Sequence, residues 1–264
     1  MKGASMMAEL AKSIHAIASA SGYPDPKIFG DLVDDAIAVL AAEDEKLRPR
    51  SATGLPGGII RIDTHYVAIV PDLHGRAGFL DDLFRSPAPT SPDVTFRDLL
   101  ASRELSIICL GDILNTEGPE GGDRWRRAAR RLSTEPDHKG LLGAEMDEEM
   151  GASLRSLQLV MTLKTRFPAG FHCLKGNHDN IGNFSDDGDS AFYKYAMEGA
   201  MGAEWFRLRY GEALIGKVRR YERLLPLIAL GAGFIASHAE PAFALSREDL
   251  LEYRERPDVV RALI

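Results

Sequence analysis

The sequence predicts an α/β domain with mixed strand directions, and three observations carry that prediction. Segments with apolar residues at helical spacing alternate with short apolar runs of strand length. Two late runs, "LPLIAL" and "GFIASH", are split by Gly231-Ala232-Gly233 as a hairpin turn splits antiparallel strands. Several of the apolar runs also stop at a cluster of carboxylates, amides and imidazoles, and the ends of strands are where α/β sheets collect ligands.

In chain order, Met7, Leu10, Ile14 and Ile17 recur at helical spacing, as do Phe29, Leu32, Ala36, Val39 and Leu40. These give two helices before Pro49, so residues 1–56 read as a helical N-terminal extension and 57–264 as the main domain. "SATGLPGGII" is a linker into the sheet, and "IIRIDTHYVAIVPDLHG" reads as two strands with a turn near Asp63 and Thr64. Helices are expected around Gly78 to Phe84 and Val94 to Arg103, followed by the strand "LSIICLGD". Further helices follow around Asp123 to Leu132 and Met146 to Phe167, then the strand "FHCL". Helices around Asp189 to Glu198 and Glu204 to Leu224, the hairpin, and a final helix from about Ser246 complete the reading. Neither internal repeats nor low-complexity tracts interrupt it.

With 264 residues, 45% of them hydrophobic, the chain has material for a sizeable core. The formal net charge of -7 argues against a broad electrostatic grip on nucleic acid, so an acidic substrate needs a cation to receive it. Cys109 and Cys173 lie inside apolar runs without a CxxC-like neighbour, and read as buried reduced thiols. Charges at Glu9 and Lys12 interrupt what a signal peptide needs as an unbroken apolar stretch, and no run has membrane-spanning length. A cytoplasmic protein without a membrane partner is the expectation.

The chemistry sits at four strand ends. "VAIVPDLHG" places Asp72 and His74 two residues apart, able to face one point. "IICLGD" presents Asp112, "CLKGNHDN" presents Asn177 and His178, and "FIASH" presents His238. Each motif alone is weak, but four apolar strands all ending in oxygen or imidazole donors are an odd outcome of packing alone. Such donors suit two divalent cations, Mn, Fe or Zn, about 3.5–4 Å apart and sharing a carboxylate. Asp112 is the natural bridge, Asp72 and His74 complete one ion, and Asn177 and His238 serve the other. His178 is left to donate a proton to a leaving oxygen.

This order of DxHG, GD, GNHD and a strand-terminal histidine resembles the calcineurin-like metallophosphoesterases, and "LPLIALGAGFIASH" is similar to the fourth-motif approach of their phosphoprotein-phosphatase branch. The resemblance spans Val67 to about Leu245. It implies a four-layer α/β/β/α sandwich with a dinuclear centre at the strand ends. The implied activity is phosphoester hydrolysis by metal-activated water, on a phosphoprotein, a nucleotide or a small phosphoester. A catalytically impaired metal- or phosphate-binding module of the same fold is the alternative.

Two departures from the family pattern bear on that alternative. The second motif runs "GDILNTEG", so Asn115 and Thr116 stand where the family has an aspartate and an arginine. An amide orients an imidazole without stabilising its positive charge, which leaves Asp179 or Glu117 as substitutes. A substrate phosphate then needs another cation, with Arg76, Arg124 and Arg127 as candidates. The family also places one more histidine after the fourth motif, and none follows His238. A C-terminally incomplete chain, with that ligand beyond Ile264, is the expectation; the other possibility is a second site completed by water or Glu240.

Other candidates read as structural. Asp63 and His65 form a second D-x-H, but at the start of a strand, on the opposite rim of the sheet. His15, His138 and His172 read as structural, and "DRWRRAARR" as the wet face of a helix capped by Asp123. "EGPEGGD" and "FSDDGDS" read as mobile rims of a cleft, the latter without the spacing of a calcium loop.

Overall fold

A computed structural model describes residues 2–89, 91–134 and 139–264. His138 lies outside them. Two helices open the chain, α1 (Lys2–Ser19) and α2 (Pro26–Ala41), the second capped by Asp25, which accepts the N–H groups of Lys27 and Ile28. They are not an appendage: Ile14, Phe29, Val33 and Ala36 are fully buried in the same apolar cluster as the first sheet and α6 (Ala144–Arg166).

Strands β1 (Ile59–Arg61) and β2 (Tyr66–Val70) follow one another in sequence but enter different sheets. β2 pairs in parallel with β5 (Leu105–Cys109), which pairs in parallel with β6 (Phe171–Cys173). β1 pairs in parallel with β7 (Ile228–Gly231), which pairs antiparallel with β8 (Phe234–Ser237) across the predicted hairpin turn. The crossovers between the parallel strands are α3 (Ala77–Arg85), α4 (Phe96–Ala101), α5 (Gly118–Thr134) and α6.

Strand alternation sorts the side chains into layers. In β5, Leu105, Ile107 and Cys109 join the helical core, whereas Ile108 turns the other way and meets Ile60, Ala229, Ala236 and Leu174. In β1 and β7, Ile59 and Ile228 point outward and pack with Leu250, Tyr253, Val259 and Val260. Helices therefore cover one sheet, two sheets pack face to face, and short C-terminal helices cover the second. This is the α/β/β/α order that the family resemblance implied. Cys109 and Cys173 are register partners on adjacent strands, both buried and free.

Several predicted boundaries are corrected. Val94 lies in β4 (Ser91–Thr95), which pairs with β3 (Pro87–Ala88), and helix α4 begins only after Thr95 closes a capping box with Asp98. Asp123 does not cap α5; "EGPEGGD" is itself helical from Gly118, and Asp123 pairs with Arg126 within the helix. No helix covers Asp189 to Met197; α7 runs Glu198–Tyr210 and α8 runs Glu212–Glu222, divided at Gly211 where φ is +82°. The final helix is two short ones, α9 (Arg247–Leu251) and α10 (Pro257–Arg261), the first opened by the Ser246–Asp249 capping box. No helix among the described residues is long and apolar enough to cross a membrane.

Candidate metal centre

Because β2, β5 and β6 are parallel and in register, their C-terminal ends lie side by side. Glycines let the loops leaving those ends approach closely. A Cβ on Gly176 would lie 2.3 Å from Asp112 Oδ1, and one on Gly111, where φ is +106°, would lie 2.5 Å from Gly176 N. His74, Asp112 and Asn115 adopt positive φ angles of 42°, 48° and 59°. Three non-glycine residues in this sparsely populated region, all at one site, mark a backbone held by its surroundings.

The carboxylate of Asp112 lies between two imidazoles. Its Oδ2 is 3.7 Å from His74 Nε2, and its Oδ1 is 3.6 Å from His238 Nε2. Each imidazole is oriented by backbone carbonyls at its other nitrogen. His74 Nδ1 lies 3.0 Å from Asn115 O and 3.2 Å from Leu114 O, and His238 Nδ1 lies 3.1 Å from Leu110 O. Nδ1–H donates to those carbonyls, which leaves both Nε2 lone pairs facing the carboxylate, the usual second-contact arrangement of a metal-binding histidine. Asp72 lies nearby, with Oδ2 3.9 Å from His74 and Oδ1 3.7 Å from His238. Asn177 Oδ1 is 3.0 Å from His238 Nε2.

Two sets of potential ligand atoms result, each within 4.8 Å of one another: His74, Asp112 and His178, and Asp72, Asp112 and His238. Asp112 belongs to both. The donors are carboxylate oxygens and imidazole nitrogens, a set that fits borderline divalent ions. Electrostatics agree with that fit. Burial, reinforced by the nearby Asp179 charge, pushes the Asp112 carboxyl up to about 6, and burial followed by the His74 charge pushes His178 down to about 4. A cation favours the ionised Asp112 carboxylate, and the lowered His178 pKa leaves a neutral imidazole, the form that binds metals.

Asp72 shares a ligand set with His238 while its Oδ2 also lies 3.9 Å from His74 Nε2, and His178, expected to point elsewhere, shares a set with His74. Its ring meets that of His74 at 5.2 Å, and its Nδ1 lies 3.3 Å from Asn115 Nδ2. Asp179 takes no part in orienting His178 by hydrogen bonding. It is buried and accepts the backbone N–H groups of Asp112 (3.0 Å), Ile113 (3.0 Å) and Gly176 (2.8 Å). Glu240 is exposed and outside both ligand sets, whereas Glu117 Oε2 lies 4.0 Å from His74 Nε2.

The predicted arginines fare unevenly. Arg124 is bound to the buried Glu149, to Glu148 and to Thr116, a network that fastens the second-motif loop to α6. Arg76 folds back onto the carbonyls of Leu73 and Asp72, and Arg127 is exposed. Asp63 and His65 lie at the opposite end of β2 and join neither ligand set. His15 pairs with Asp81, and His172 is buried beside Lys164.

Residues that sequence reasoning passed over surround the cluster. Phe192 packs on His178 with ring centroids 4.3 Å apart, and Lys194 reaches Glu117 at 2.7 Å. A helix was expected there; the one available signal was the run of three aromatics in "FYKY" just after the third motif. "FSDDGDS" is pinned rather than free: Arg219 binds Asp186 and Asp187, and Lys175 binds Asp189.

No protein-family model matches the chain, and no curated protein matches it. Among solved structures it is similar to a protein serine/threonine phosphatase from Saccharomyces cerevisiae with similarity to human phosphatase PP5, at 14% identity and a TM-score of 0.43. That likeness covers 79% of this chain and 46% of the phosphatase, so the chain spans less than half the length of the protein it resembles.

Proposed function

We propose that the chain is a dinuclear metal-dependent phosphoester hydrolase. The observation that carries the reading is the position of Asp112, whose two carboxylate oxygens face the Nε2 atoms of two imidazoles at nearly equal distance. A carboxylate so placed is shared by two ligand sets. Bound divalent cations supply Lewis acidity at a phosphoryl oxygen and lower the pKa of water toward neutrality.

The chain's own residues do the rest. Asp72 and His238 flank one side of Asp112, His74 flanks the other, and Asn177 adds its amide oxygen as a further donor atom beside His238 Nε2. The Asn115 amide meets His178 at Nδ1, which leaves Nε2 as the nitrogen for a departing oxygen; the protonated ring gives its proton there, with the amide turned to offer its oxygen to Nδ1–H. Phe192 excludes water from one face of that ring. The substrate is a phosphorylated protein, nucleotide or small phosphoester, the metals are Mn, Fe or Zn, and the cytoplasm is the place of action.

The test is hydrolysis of a chromogenic aryl phosphate with and without Mn²⁺, on the wild type and on Asp112→Asn. Mn²⁺-dependent turnover that vanishes with the substitution supports the reading. A second reading, a binding module without turnover, is favoured by the capture of Arg124 by Glu149 and by the amide at Asn115. Tight Mn²⁺ binding with no turnover on any phosphoester would establish it.

A further inference from the structure

The chain lacks the second-motif arginine, and the arginines nearest that motif are otherwise engaged or exposed. Arg124 is bound to two glutamates and a threonine, and Arg76 to its own loop. We infer that Lys194 is the cation that receives the substrate's phosphoryl oxygen, held at the mouth of the site by Glu117. This rests on the phosphoesterase reading and names a specificity residue for it.

Placement is the first support. Lys194 Nζ lies 2.7 Å from Glu117 Oε2, and that same oxygen lies 4.0 Å from His74 Nε2. The lysine side chain is half exposed, so its ammonium has the metal cluster on one side and solvent on the other.

Rigidity of the backbone beneath it is the second. The buried Glu198 carboxylate accepts three successive N–H groups, those of Lys194, Tyr195 and Ala196. Tyr195 accepts the Gly118 N–H through its hydroxyl, and its ring packs so closely on α5 that a Cβ on Gly122 would lie 2.9 Å from it. Phe192 ties the same segment to His178. A buried carboxylate spent on three amides of an otherwise irregular segment fixes where residue 194 begins, and the flexible stem does the remaining positioning.

The third support is energetic. An exposed ion pair of this kind contributes at most about 1 kcal/mol, so it does not compete strongly with a doubly charged phosphate. An ammonium has three N–H donors and can hold Glu117 and a phosphate oxygen at once.

The experiment compares Lys194→Met, Lys194→Arg and Glu117→Gln with wild type. Three quantities are read: Mn²⁺ stoichiometry, calorimetric affinity of the Mn²⁺-loaded protein for inorganic phosphate, and KM against kcat for an aryl phosphate. Lys194→Met is expected to keep its Mn²⁺ and weaken phosphate binding about tenfold or more, with KM rising more than kcat falls; about 1.4 kcal/mol corresponds to that factor. Lys194→Arg restores most of the affinity, and Glu117→Gln leaves phosphate binding equal or tighter, because it frees the ammonium. An unchanged phosphate affinity in Lys194→Met overturns the inference. So does equal weakening by Lys194→Met and Glu117→Gln, which marks the pair as a structural tie. A wild type that hydrolyses aryl phosphate while Lys194→Met matches it sinks only this inference; a wild type that neither hydrolyses nor binds phosphate sinks the parent reading and this inference with it.

Discussion

Asp179 Oδ2 accepts the backbone N–H of Asp112 at 3.0 Å, and Asp112 Oδ1 accepts the backbone N–H of His178 at 2.8 Å. The loops leaving β5 and β6 thus clasp each other reciprocally, and the shared carboxylate is oriented by the motif next to it. Asp179→Asn replaces one acceptor oxygen by an amide that faces backbone N–H groups. Losing a buried acceptor costs about 1–3 kcal/mol. The variant should show a lower urea midpoint together with weaker Mn²⁺ binding; lost stability with intact metal affinity would separate the clasp from the site.

The sharing of Asp112 makes a prediction about stoichiometry. His74 belongs to one ligand set and His238 to the other, with Asp112 in both. By metal analysis after gel filtration, His74→Ala and His238→Ala should each retain about one ion where the wild type holds about two. Asp112→Asn should retain neither. His178→Asn discriminates two roles: loss of an ion makes His178 a ligand, whereas full metal content with slowed turnover of poor leaving groups makes it the proton carrier.

The motifs were legible because each is local: an apolar strand with a polar residue just past its end, and in three of the four a glycine that lets the loop turn or approach its neighbour. The layer order was implied by the family resemblance of those motifs, not by the runs themselves. What the sequence hid is long-range. Whether Arg124 meets substrate or Glu149 depends on a contact across 25 residues of separation, and nothing periodic encodes it. The stretch from Asp189 to Met197 has helix-compatible composition, yet the buried Glu198 and the Lys175–Asp189 pair hold it in another shape. The β3–β4 ribbon, interrupted by Pro87 and Pro92, carries too short an alternation to show as strands.

Glu222 gives a pH dependence with a definite sign. Burial pushes its carboxyl from 4.5 up to about 8, partly opposed by Lys175 and by the Ile181 N–H that it accepts. The folded state holds this proton where the unfolded chain has lost it, so this group's contribution to stability is greatest below about 4.5 and declines as pH rises toward 8. The slope from this group is about 1.4 kcal/mol per pH unit at most. Glu222→Gln keeps an oxygen for Ile181 and cannot ionise. In urea titrations across that window, its stability should lose less with rising pH than that of wild type; parallel profiles would refute the assignment.

A second buried cluster fixes the N-terminal helices to the domain. Glu43 binds Arg48 at 2.9 Å and Lys164 at 2.6 Å, and Arg48 also donates to Gly57 O and Leu224 O. All three charged groups are almost completely buried. Glu43→Gln strands two cations without their anion, a change that costs about 3–5 kcal/mol in comparable buried pairs. Lys164 adds a sign to the expectation. Burial holds its ammonium below the usual lysine range even with Glu43 present, so removing the anion favours the neutral amine further. Raising the pH toward 10.5 lets the folded protein shed that proton at less cost, and the deficit of Glu43→Gln relative to wild type should shrink accordingly. Lys164→Met in the same background should recover part of the loss at neutral pH, with a coupling energy measurable by a double-mutant cycle. Strictly additive losses would mean that the two side chains do not interact as their 2.6 Å contact requires.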